Sequence, residues 1–151
     1  MKINWKKLIV SLLIPQIVGG AGALFTTPKI QSWYINLNKP FFSPPNWLFG
    51  PVWTLLFLMM GIALYIVWNK KKSLGDKTFK WYWIQLFLNL LWSVIFFGLE
   101  MPGIALIEIL FLWWAIFKTI KSFGETGKWL VPYLMWVSFA TLLNLGIWYL
   151  N

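Results

Sequence analysis

Few residues in this chain could do bond-making chemistry. There is no cysteine, no histidine, and only four Asp and Glu among 151 residues. Thiolate nucleophiles, disulfides and Fe–S clusters are therefore excluded. Most zinc sites and the commonest haem ligation go with them, so no metal site is expected. No acid–base pair or nucleophile stands out, which disfavours hydrolytic and transfer reactions. What the chain has instead is thirteen tryptophans, in a composition that is 21% aromatic. Indoles stack on flat conjugated ligands. They also anchor membrane proteins at the headgroup level.

Polar residues inside apolar runs are the other candidates, because such groups are costly in hydrocarbon and often functional. Gln85, Asn89 and Ser93 recur at i, i+4 and i+8, on one helical face, with Trp92 beside them. Trp136, Ala140 and Asn144 repeat that spacing, and the small Ala140 leaves a dent for a helix or a ligand. Interhelical hydrogen bonding and a pocket fit both stripes equally well. Glu108 is the one carboxylate in an apolar run. With no partner acid or histidine for a proton relay, a neutral side chain is expected, or one facing a polar neighbour or a dimer interface. Trp5, Trp47, Trp68, Trp81, Trp83, Trp129 and Trp148 fall near the ends of runs, where interfacial anchoring accounts for them. Trp113 and Trp114 are adjacent and cannot both face one pocket. Trp53, Trp92, Trp136 and Trp33 remain as pocket candidates, with packing as their competing use.

The elements that hold these residues are membrane-spanning helices. Apolar residues make up 60% of the chain and charged residues 11%, with a mean hydropathy of +0.69. A helical span needs about 20 apolar residues. The chain reads as an all-α integral membrane protein, a single domain over 1–151, with spans at about 8–25, 47–68, 81–98, 104–120 and 129–150. The first run has a basic start and an Ala21-Gly22-Ala23 stretch, as a cleaved signal does. Its length and the further spans after it favour a retained span. From Thr26 to Pro45, four prolines (Pro28, Pro40, Pro44 and Pro45) should prevent a continuous helix. That stretch is aromatic and should pack on the bundle as a lid.

The net charge of +9 is carried entirely by lysine. Eleven lysines fall on one side of the predicted bundle, and only Lys29 and Lys39 on the other. This asymmetry predicts a multi-pass cell-membrane protein with a cytoplasmic N-terminus and an outside C-terminus. It accounts for the charge without a nucleic-acid partner.

Four blocks carry a family resemblance. The first is Trp33-Tyr34, Leu37-Asn38-Lys39-Pro40, Pro44-Pro45-Asn46-Trp47 and Gly50-Pro51-Val52-Trp53. The others are Gln85 to Gly98, Leu106-Ile107-Glu108, and Pro132 to Asn144. Together they resemble the tryptophan-rich sensory protein (TspO) family, also called translocator protein or peripheral-type benzodiazepine receptor, and the chain looks like a bacterial member. The resemblance implies five transmembrane helices around one pocket, closed by the first loop, in a homodimer. It implies porphyrin ligands, notably protoporphyrin IX with haem as a further option, and synthetic isoquinoline- or benzodiazepine-type ligands, without a resident cofactor. By position, Tyr34, Trp53, Asn89, Trp92, Trp136 and Ala140 would line the pocket, with Phe49 and Gly50 near its mouth. The sterol pattern of mitochondrial members needs a basic residue after Tyr149. Leu150 and Asn151 follow instead, which argues against sterol binding.

Three functions remain open at this level. The chain could bind porphyrins in order to sense, sequester or move them, with Lys39 meeting a ligand carboxylate. It could be an enzyme in which Trp53 and Trp136 take part in light-driven porphyrin degradation. It could be a structural or partner protein that uses its dimer surface, with an empty pocket.

Overall fold

A computed structural model describes residues 2–151. Five α-helices are seen among them: α1 (Trp5–Ile30), α2 (Phe49–Trp68), α3 (Lys80–Ser93), α4 (Pro102–Phe123) and α5 (Val131–Leu150). Four helical stretches are long and apolar enough to cross a membrane, the last running through both α4 and α5. The outer surface is apolar, with exposed Ile17, Leu24, Phe87, Phe111 and Met135, while Gln85, Asn89, Thr119 and Asn144 are buried inside. That arrangement suits hydrocarbon solvent, where polar groups must be satisfied within the bundle.

The helices form where the apolar runs predict them, but α1 is longer at both ends than 8–25. It begins at an Asn4 cap whose side chain accepts from the Lys7 amide, and it runs through both Pro15 and Pro28. The expectation that Pro28 starts a broken stretch is thus corrected. A proline in the last turn removes one amide without stopping the chain. The Pro28 carbonyl still accepts from Ser32 Oγ at 2.9 Å, and the Lys29 carbonyl from the Trp33 amide at 2.9 Å. Pro15 likewise frees the Ser11 carbonyl, and α2 comes against it at Gly61. A Cβ at Gly61 would lie 2.8 Å from both Ser11 O and Leu12 Cα, so only glycine permits this approach.

α1 packs on α2 and α3, α3 on α4, and α4 on α5. α2 and α5 meet through ring pairs, Trp53–Tyr133 at 6.1 Å and Phe49–Trp136 at 6.2 Å between centroids. Past Ser93 the third helix widens into a π turn, Val94–Gly98, closed by the Leu99 amide on Val94 O at 2.8 Å. Such a turn shifts the register of the side chains that follow it. Here Phe96 and Phe97 are both buried against Tyr34.

The Pro-rich segment between α1 and α2 contains two short 3-10 turns, Tyr34–Asn36 and Asn46–Leu48. It rests on the end of α5. Asn151 accepts from the Asn38 amide at 3.1 Å and donates to Asn38 O at 2.8 Å. Phe42 packs edge-on against Phe139, 6.0 Å between centroids.

Gly61→Val should force α1 and α2 apart and cost about 1–3 kcal/mol. A Cβ at Gly20 meets nothing within 4 Å, so Gly20→Ala should be neutral or gain up to about 1 kcal/mol from helix propensity. Thermal unfolding of both variants in one detergent checks this. Equal melting points would remove the close-contact account of α1.

Candidate functional site

A cavity of about 360 Å³ opens at the loop end of the bundle. Its two walls are chemically unlike. One is a face of α1, built from Gln16, Gly19, Gly20, Ala23, Thr26, Thr27 and Ile30. These positions recur every three or four residues, the spacing of one helical stripe. The opposite wall is aromatic: Tyr34, Phe49, Trp53, Phe57, Trp92 and Phe97. Asn46, Gly50 and Thr54 border it at the start of α2.

The aromatic wall is held from behind. Trp53 stacks on Phe57 at 5.6 Å and Trp92 on Phe96 at 4.8 Å between centroids. Trp92 Nε1 donates to Asn144 Oδ1 at 3.0 Å, and Asn144 Nδ2 donates to Pro102 O at 2.8 Å. This relay ties α3, α5 and the start of α4 together. On the α1 side, Gln16 Nε2 donates to Thr54 O at 3.1 Å, bridging α1 and α2 at the foot of the cavity. Thr26 and Thr54 return their hydroxyls to Gly22 O and Gly50 O in their own helices, as threonines in membrane helices commonly do.

Of the eight residues expected at the ligand, Tyr34, Phe49, Gly50, Trp53 and Trp92 line this cavity. Ala140 lines a separate void of about 30 Å³, together with Asn144 and the rear of Tyr34 and Trp92. Asn89 and Trp136 line neither. Asn89 is spent on packing, donating from Nδ2 to the Tyr133 hydroxyl at 2.7 Å. Trp136 lies behind Phe49, with its Nε1 buried and unpartnered. The α1 wall was not among the expected residues. Its signal was present in Gln16, Thr26 and Thr27, polar groups on the same stripe as the glycines.

Tyr34 is 2% exposed, and its hydroxyl has no hydrogen-bond partner. Burial pushes the phenol above its ordinary range, and the Ser43 hydroxyl beside it opposes that shift. Lys39 does not reach toward the cavity as a free cation. Its ammonium donates to the carbonyls of Tyr34 at 3.0 Å and Leu37 at 3.1 Å, and lies 4.9 Å from the centre of the Tyr34 ring. It holds the loop turn closed, and with it the position of Tyr34. Glu108 is buried at 7% exposure with neither oxygen partnered, so it faces the interior of the bundle and not its outer surface.

The comparisons with known proteins agree along the chain. The TspO/MBR family model matches residues 11–150. The tryptophan-rich protein TspO of Archaeoglobus fulgidus is 43% identical over 152 residues, covering 99% of each chain. The tryptophan-rich sensory protein of Cereibacter sphaeroides is 33% identical, covering all of this chain and 95% of that one. The human translocator protein is 35% identical, covering 95% of this chain and 89% of the other. With a family match over almost its whole length and relatives of this identity, the chain is a multi-pass membrane protein that belongs to the TspO/MBR family.

Proposed function

We propose that the protein is a membrane receptor or carrier for porphyrin-type tetrapyrroles, and that the cavity between α1 and the aromatic wall is its binding site. All five α-helices cross the bilayer in this reading, and the Pro-rich segment roofs the site. The basic end lies in the cytoplasm and the loop end outside. The observation that carries the reading is the facing of six aromatic side chains across a cavity from a wall of small residues. A flat ligand can lie against the rings while the glycines leave room for its thickness. A volume of about 360 Å³ sits at the lower end of the range for ligand sites, about 300–1,000 Å³. It suits isoquinoline- or benzodiazepine-sized molecules whole, while a tetrapyrrole would extend through the open side.

The Tyr34 hydroxyl is closed off beside the Ser43 hydroxyl, so a ligand would meet the Tyr34 side chain through its ring. Trp53 is the tryptophan placed to touch the ligand from α2. Trp136 would act through Phe49.

Titration with protoporphyrin IX in the dark, followed by tryptophan quenching, tests the proposal. Saturable binding is expected, weakened about tenfold or more by Trp53→Ala, since one aromatic stack is worth about 1–3 kcal/mol. Trp114 is exposed on α4, so Trp114→Phe should leave the affinity unchanged. Non-saturable partitioning alike in all three would refute the reading. Tyr34→Phe should stabilise the ligand-free protein by up to about 1 kcal/mol. A melting point that falls in the absence of ligand would mean the hydroxyl already has a partner.

A further inference from the structure

A ligand needs a route to the cavity, and the two sides of the site differ in how they are closed. The loop side is fastened. Asn151 and Asn38 exchange hydrogen bonds at 2.8 and 3.1 Å, and Pro40 lies directly on Gly146. Phe42 packs on Phe139, and Lys39 binds the loop carbonyls. Opening beneath the loop would break all of these at once and uncover Tyr34.

The side between α1 and α2 is fastened at the foot of the cavity, by Gln16 Nε2 on Thr54 O at 3.1 Å and by Gly19 against the Phe57 ring, and opens toward the loop end. Gly20, Ala23, Thr27, Gly50 and Thr54 all line the cavity and are all exposed on the outer surface. The α1 stripe from Gln16 to Ile30 extends about 20 Å along the helix, at about 1.5 Å per residue. It therefore runs from the loop end well into the hydrocarbon. A side chain at Gly20 would meet no atom within 4 Å, whereas Gly19 beside it lies on the Phe57 ring, so the opening is on the Gly20 side of the stripe, next to a closed contact.

We propose that this cleft is a lateral doorway, through which a flat, acid-edged ligand dissolved in the bilayer passes between α1 and α2 into the cavity while the loop stays shut. The inference rests on the binding reading above and adds the direction of approach. An apolar macrocycle concentrates in the hydrocarbon, so the doorway faces the phase in which the ligand is most abundant. Thr27 and Asn46 border the loop end of the cavity. A ligand entering edge-on can thus keep its carboxylates at the interface while its body slides past Gly20 and Ala23. Thr54 Oγ1 bonds to Gly50 O within α2, and the Gln16–Thr54 bond marks the inner end of the doorway.

The chain has no cysteine, so an introduced pair forms one defined crosslink. A Cβ at Gly146 lies 3.3 Å from Pro40 Cβ, close to the spacing of about 3.5–4.5 Å that a disulfide needs. Pro40→Cys with Gly146→Cys, once oxidised, locks the loop on α5. The measurement is stopped-flow tryptophan quenching when proteoliposomes are mixed with vesicles carrying protoporphyrin IX. The locked loop should load within about twofold of its reduced form, while Gly20→Leu should load about tenfold slower or worse. Ala23→Leu serves if Gly20→Leu fails to fold. Loading that stops on oxidation and returns on reduction, with Gly20→Leu as fast as wild type, would overturn the doorway. Wild type that never quenches saturably would overturn the binding reading itself, and the two failures are therefore distinct.

Discussion

Trp92 Nε1, bonded to Asn144 Oδ1 at 3.0 Å, is the contact on which the site depends. In hydrocarbon an indole N–H and a primary amide have no water to turn to, so each must be paired within the protein. Asn144 meets the demand twice, accepting from Trp92 and donating to Pro102 O, the first residue of α4. One side chain therefore joins three helices. It also fixes the face that Trp92 turns to the cavity, and Trp92 in turn backs Phe96 and Phe97 through ring contacts. The same rule places Asn89 on Tyr133 and Trp113 on Ser138. Of these pairings, Trp92 with Asn144 is the one that holds a residue of the aromatic wall.

The opposite wall follows from absence of side chains and not from bonds. α1 can lie close to α2 at Gly61 because Pro15 has released the Ser11 carbonyl and no Cβ intervenes. Toward the loop end α1 still meets α2 at Gly19, on the Phe57 ring, while nothing lies over the neighbouring Gly20 and the space there becomes cavity. One compositional device thus gives a tight seam at one depth and an opening at another. The difference lies in what each glycine faces: helix backbone at Gly61, and nothing at Gly20.

Most of the bundle was legible in the sequence because apolar runs of membrane length have few alternatives. Each predicted run contains a helix, and the discrepancies are at ends, where proline in a last turn costs less than proline in mid-helix. Tyr34, Phe49, Gly50, Trp53 and Trp92 were legible through their place in a motif. The α1 wall was not, because a stripe of glycine and alanine reads equally as a helix–helix contact, and only the neighbouring helix decides which use it serves. Asn89 and Trp136 illustrate the converse. Both sit at pocket spacing on their helices, yet Asn89 faces Tyr133 and Trp136 stands behind Phe49. Spacing gives the face of a helix. What that face meets depends on tilt and on the rings between helices, which no single helix encodes.

The two ends of the molecule then divide the work. The basic end carries eleven lysines, several of them over rings at the bundle edge: Lys7 over Trp68, Lys80 over Trp81 and Lys118 over Trp114. Contacts of this kind suit an ammonium at a membrane interface with its ring in the hydrocarbon. The loop end has few charges, and they are used internally, with Lys29 paired to Glu100 and Lys39 bound to carbonyls. Both of these cations are thus engaged within the protein, one by a carboxylate and one by loop carbonyls. The loop end instead keeps a cavity beside Gly20, where α1 leaves room next to its contact with α2 at Gly19.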